Sequence, residues 1–203
     1  MKFFSYLEEN ATAYEWVQKL VTLNYRVFPR ELKREVFFDR GKSYLDVGCG
    51  TVFFRDHLKD KDYVGVDLNP RYIAAAGLKR GDCFQTGNAL NLTFLRKNFD
   101  RIISIGLVHH LDDAQVSKTL DQFCLHLKPD GEIFIIDTLW PSGKNLVGQT
   151  LRRFDNGAFV RAFSGWGKLF CGALAVNALR PIRQWPFDYI FLRAACKVGA
   201  RTT

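Results

Sequence analysis

No apolar run in this 203-residue chain is long enough to cross a membrane as a helix. The longest, Leu169–Leu179, is about half of the ~20 residues a span needs. The start, MKFFSYLEEN, has too short an apolar stretch for a signal-peptide core. Cysteine is sparse: the five residues Cys49, Cys83, Cys124, Cys171 and Cys196 show no CxxC spacing. Zinc-ribbon and disulfide-scaffold classes are therefore excluded, and the thiols are expected to be reduced in a cytoplasmic protein. No His/Asp/Glu cluster suggests a metal, and there is no repeat and no low-complexity linker. Acidic residues nearly vanish late in the chain. Residues 1–139 hold 19 basic and 19 acidic side chains, whereas residues 140–203 hold 10 and 2. The whole net charge of +8 thus sits in the last third, which points either to an anionic partner or to a solubilising surface.

What is present is an alternation. Apolar runs ending in glycine, Asp or Asn-Pro occur at Ser43–Gly48, Tyr63–Leu68, Cys83–Gly87, Arg101–Gly106 and Glu132–Asp137. Helical patterns lie between them at 52–60, 70–79 and 113–127, with Asp112 or Asp113 as cap of the last. This βαβ rhythm predicts an α/β domain whose mostly parallel sheet is covered on both faces. Two helices are expected within residues 5–40, broken near Pro29. Phe187–Cys196 reads as a further strand, with Leu174–Leu179 as its hairpin partner.

The strongest local signal is Leu45-Asp46-Val47-Gly48-Cys49-Gly50-Thr51. A strand enters a glycine turn and then a helix, so the backbone can bend sharply and a ligand can approach it. In open α/β sheets ligands bind at the carboxyl ends of the strands. Neither G-x-G-x-x-G nor a Walker lysine is present, so phosphate binding has little support. Seventeen residues after Gly50 the next strand ends in Asp67, a carboxylate suited to ribose hydroxyls.

LDVGCGT, VGVDLNP, FDRIISIGLVHHL and LKPDGEIFIID, in this order over residues 43–138, resemble the motifs of class I S-adenosylmethionine-dependent methyltransferases. They are closest to the small-molecule group with an LHHL-type fourth motif. The resemblance implies a single Rossmann-like domain with a seven-stranded, mostly parallel sheet flanked by helices. It divides the chain into an N-terminal helical lid (1–40), a cofactor core (43–138) and a basic acceptor-side segment (139–203).

The resemblance also implies roles. Asp46 supports the loop and the methionine amino group of the cofactor. Gly48, Cys49 and Gly50 form the loop against it, Asp67 holds the ribose, and Leu68 packs on the adenine. Asn88-Ala89 stands where the family usually has Asp-Ala facing the adenine edge. The carbonyls of Ile105 and Gly106 help to hold the amino-acid end. Val52 replaces a frequent third glycine.

His109 and His110 follow the fourth strand, beside the expected methyl group. One of them either takes a proton from the acceptor or helps to shape its pocket. Arg152, Arg153 and Arg161 either hold an anionic acceptor or form a solvated basic face. The N-terminal aromatics are either a lid or simple core.

The implied reaction is methyl transfer from S-adenosylmethionine to O or N of a small molecule, anionic or aromatic, releasing S-adenosylhomocysteine. A nucleic-acid acceptor is disfavoured, because LVHH stands where an N-P-P-[YF] motif would be. The alternatives are a nucleic-acid methyltransferase, a catalytically idle cofactor-binding protein, and peripheral membrane contact through Phe163–Leu179 with Lys168.

Overall fold

The structure, a computed structural model, describes residues 30, 31, 34, 41–51, 62–81, 83–95, 98–152, 157–172 and 174–197. The strands are β1 (Ser43–Val47), β2 (Asp62–Asp67), β3 (Phe84–Thr86), β4 (Phe99–Ile105), β5 (Leu127–Leu139), β6 (Leu174–Gln184) and β7 (Phe187–Cys196). The helices are α1 (Pro70–Arg80), α2 (Asp113–His126), α3 (Leu146–Arg152) and α4 (Phe163–Phe170), with a 3₁₀ turn at Val108–His110. One seven-stranded sheet has the order β3-β2-β1-β4-β5-β7-β6. Strands β1 to β5 pair in parallel, and β7 runs antiparallel to both β5 and β6. The expected seven-stranded, mostly parallel architecture is what the chain adopts.

The central strands β1 and β4 are almost wholly buried because both faces of the sheet are covered there. Alternation sorts their side chains. Leu45, Val47, Ile102, Ile133 and Ile135 join Phe123 of α2 and Trp166 and Phe170 of α4 in one cluster. Tyr44, Ile103, Phe134 and Ile136 join Ala76 of α1 in the other. Helix α1 starts at Pro70, with Asn69 accepting from the Arg71 amide. Asp112, not Asp113, caps α2, in a capping box with Gln115.

Three expectations change. The cysteines are not all reduced: Cys124 of α2 and Cys196 of β7 form a disulfide across 72 residues. Only the packing of α2 on the sheet brings these two together, so spacing along the chain could not reveal it. Cys49, Cys83 and Cys171 are free. The fifth strand starts at Leu127, because Leu127 already pairs with Phe99 before a register shift. The segment Phe163–Leu179 is not one interfacial stretch. Helix α4 turns Trp166 and Phe170 into the core, and Leu174 onward is sheet. The helix expected at 52–60 lies outside the described residues. So does the N-terminal lid, apart from helical residues 30, 31 and 34, where Glu31 pairs with Arg180 of β6. No described helix is long and apolar enough to cross a membrane.

Candidate active site

The carboxyl ends of β1, β2, β4 and β5 carry two facing constellations. The first begins where β1 ends. Gly48 and Gly50 have φ of 78° and 56°, which side chains rarely tolerate. The amides of Gly48 and Cys49 both donate to the Val66 carbonyl, at 2.8 and 3.0 Å, and this ties the loop to β2. Asp67 receives the Gly50 amide at 2.9 Å on one oxygen and the Asn69 amide at 2.8 Å on the other. An ionised carboxylate has about four lone-pair sites. The two that remain suit a pair of hydroxyls. Burial pushes the Asp67 carboxyl above its usual range, and the two amides oppose this. Next to it Leu68 is 69% exposed, an apolar surface open to a flat ligand.

Asp46 is buried and receives one hydrogen bond among the described residues, from the Tyr63 hydroxyl at 2.7 Å. Burial, helped by the Asp67 charge and opposed by Tyr63, pushes its carboxyl up to about 7. Among the described residues no cation offsets this burial. Cys49 is buried beside Gly65, and burial also pushes its thiol well up, so it is packing and not a nucleophile. After β3, Asn88 accepts the Leu90 amide at 2.9 Å through its side-chain oxygen. Its NH₂ is thus the end suited to address a ligand, with half-buried Ala89 beside it.

The second constellation follows β4. Ile105 is its last residue, and Gly106, with φ 68°, donates to the Ile136 carbonyl. The chain then makes the 3₁₀ turn that holds both histidines. His109 is buried, with Nδ1 2.6 Å from Asp137 Oδ1. Asp137 also accepts the amides of Val108 and Thr138, each at 2.6 Å. Burial alone would raise the Asp137 carboxyl, but the His109 charge and these hydrogen bonds outweigh it and hold it below the usual range. An ionised carboxylate only accepts, so Nδ1 carries a proton, and whenever the ring is neutral its lone pair is on Nε2.

The segment after α3 seals this pair. A side chain on Gly157 would meet His109 Cδ2 at 2.1 Å, and the Phe159 amide donates to the His109 carbonyl at 2.9 Å. His110 is exposed and its ring lies 4.0 Å from that of His109.

The arginines are used differently from expectation. Arg161 donates to the Asp113 carboxylate through Nε and Nη2, and to the carbonyls of Val108, Phe159 and Leu111. All five donors are thereby committed, and they brace the histidine turn. Arg152 is buried, its guanidinium 4.6 Å from the Phe187 ring and 5.5 Å from that of Tyr189. Both find their partners inside the chain, which leaves neither facing an acceptor. Arg153 lies outside the described residues. Sequence reasoning missed Asp137 and Tyr63. The one signal for Asp137 was an acidic residue closing the fifth apolar run, the same pattern that marked Asp67.

Residues 45–135 match the family described as Methyltransferase domain. The chain carries a class I S-adenosylmethionine-dependent methyltransferase domain. Its cofactor is S-adenosylmethionine. A probable tRNA methyltransferase 9B of Mus musculus is 27% identical over 140 residues, covering 66% of this chain but 28% of that protein. The chain therefore spans less than a third of that relative's length. Among solved structures, the putative methyltransferase complexed with the Haloferax volcanii Trm112 activator is similar at TM-score 0.75 and 15% identity. That likeness covers 94% of this chain and 97% of the other. The PH0226 protein of Pyrococcus horikoshii is similar at TM-score 0.66 and 21% identity, covering 85% and 91%. At such identities the structures share the fold.

The methyltransferase residues fit the cofactor on their own chemistry. Among the described residues the under-satisfied Asp46 lacks a cation, and an ammonium group supplies one. Asp67 has lone pairs left for two hydroxyls, and Leu68 and the Asn88 amide frame a place for an aromatic base.

Proposed function

We propose that this methyltransferase acts on oxygen or nitrogen of a small anionic or aromatic molecule, with His109 as general base. The observation that carries this reading is the buried His109–Asp137 pair at the end of β4, next to the glycine loop. When bound, S-adenosylmethionine supplies an electrophilic methyl group on a positive sulfonium. Asp46, Gly48, Cys49, Gly50, Asp67, Leu68, Asn88, Ala89, Ile105 and Gly106 would hold it. His109 takes the acceptor proton on Nε2, and Asp137 stabilises the resulting imidazolium through Nδ1. His110 lines the acceptor's side. Arg161 acts through the turn it braces, and alignment supplies the rest. A cytoplasmic setting is the localisation we attach to this reading; the free thiols Cys49, Cys83 and Cys171 go with it, and the Cys124–Cys196 disulfide counts against it.

The test has two stages. Calorimetry should show S-adenosylhomocysteine binding that Asp67→Ala abolishes. Radiolabelled methyl transfer should then be screened over anionic and aromatic acceptors with wild type and His109→Asn. Turnover that His109→Asn leaves intact at all pH values removes the base role.

A second reading, an RNA acceptor, is favoured by the relative named as a probable tRNA methyltransferase and by the basic last third. RNA binding that weakens steeply with salt, together with methyl incorporation into RNA, would establish it.

A further inference from the structure

The edge of the sheet that carries the active site also carries an apolar, basic surface that the methyl-transfer chemistry does not use. Helix α3 and the turn between β6 and β7 build it. Gly148 of α3 lies against the turn so closely that a side chain there would meet the Pro186 carbonyl at 2.2 Å. Asn145 donates to the same carbonyl at 2.9 Å. Gly148 and Arg152 thus face inward, and Leu146, Val147 and Leu151 face out. Leu146 is 69% exposed and Trp185, at the tip of the turn, 71%. Trp140, just after β5, is also partly exposed. Pairing of Leu139 with Asp188 puts the turn at the carboxyl end of β5, on the edge that carries Asp137 and His109.

Lys144 is exposed beside α3, and Arg183, exposed just before the turn, is partly neutralised by its ion pair with Asp188. From residue 140 onward the chain has two acidic residues, Asp155 and Asp188. Asp188 is buried and paired with Arg183.

We propose that this surface docks on an anionic lipid membrane. Exposed aliphatic tips with a tryptophan at the rim bury into the headgroup boundary, while the cations meet the lipid charge. The aliphatic character favours lipid over RNA, since Leu146, Val147 and Leu151 offer bases no ring to stack on. The surface differs from the Phe163–Leu179 stretch, whose apolar side is core. Docking would set the active-site edge towards the lipid, whichever acceptor is methylated.

The test is co-sedimentation of the full chain with phosphatidylglycerol–phosphatidylcholine vesicles and with phosphatidylcholine alone. The protein should pellet with the anionic vesicles, less so in high salt, and hardly with the neutral ones. The double variant Leu146→Ser/Trp185→Ser should weaken partitioning by more than about tenfold, because each tip adds binding in proportion to the apolar area it buries. Its S-adenosylhomocysteine affinity and melting temperature should match wild type, which separates this surface from the cofactor site. Quenching of tryptophan emission by brominated lipid should drop with Trp185→Phe. Three results would overturn the proposal: no binding to anionic vesicles, equal binding to neutral ones, or binding that the double variant retains. Capture by RNA but not by vesicles would do the same.

Discussion

Asp46 and Asp137 are both buried carboxylates on strands of the same sheet, and they differ in what the chain supplies to them. Asp137 has the His109 ring and the amides of Val108 and Thr138, and its carboxyl lies below the usual range. Asp46 has the Tyr63 hydroxyl, and its carboxyl is pushed up to about 7. Burial opposes charge at both positions, so partners decide the outcome. The satisfied carboxylate holds another protein group in place. The under-satisfied one keeps acceptor capacity that no described residue uses. An internal positioning role and a binding role can thus be told apart from hydrogen-bond supply.

The sharpest way to break this contrast is Asp137→Asn. It removes one partner of a buried pair, which typically costs about 3–5 kcal/mol, measured by chemical denaturation. The sign of its pH dependence follows from a lowered folded-state value. Asp137 stabilises above the unfolded carboxylate range, and that stabilisation is lost as pH falls. Wild type and variant should therefore converge in acid. Convergence at neutral pH instead would show that the carboxylate is not ionised there.

Asp67→Ala comes next. It should leave the fold intact and weaken S-adenosylhomocysteine binding by about 3 kcal/mol, the loss of two hydrogen bonds to a charged group. Unchanged affinity in calorimetry would take Asp67 out of the site.

Asp46→Asn should act in the opposite sense to Asp137→Asn. A raised folded-state carboxyl costs stability as pH climbs from the unfolded range towards 7. The amide should therefore stabilise the apo protein by a few kcal/mol at pH 8, about 1.4 kcal/mol for each unit of the rise, and make no difference in acid. It should also weaken cofactor binding. In wild type, cofactor binding near pH 6 should release a proton, seen as a calorimetric enthalpy that tracks buffer ionisation. Absence of that release would mean Asp46 is already ionised.

The smallest effect is expected from Gly157→Ala. The new methyl meets the His109 ring at 2.1 Å, so the loop must shift. The cost should be about 1 kcal/mol in stability, at the low end of overpacking. Turnover should fall more than cofactor affinity, because the ring moves and the glycine loop does not.

Much of the sheet was legible in the chain because strands buried on two faces are short apolar runs closed by turn residues. All seven strands were anticipated, with β5 beginning earlier than expected because Leu127 pairs before the register shift. The first constellation was equally legible. Gly48, Gly50 and Asp67 belong to adjacent parallel strands joined by one crossover, so their spacing is nearly set by the βαβ unit. Arg152 and Arg161 take internal partners for a physical reason that sequence does not display. A guanidinium looks alike in sequence whether it meets a ligand or five acceptors of its own chain, as Arg161 does.

The sequence by itself determined the α/β class, the carboxyl ends of the first four strands, and the glycine loop with the Asp67 carboxylate beside it, because these depend on local backbone freedom and alternation. The tertiary structure alone decided that Asp137 partners His109 across 28 residues, that Arg161 braces a turn some 50 residues before it, and that Cys124 meets Cys196 across 72. Each of those contacts depends on which strands and helices become neighbours. That is settled by packing the two faces of the sheet and not by any pattern within one segment.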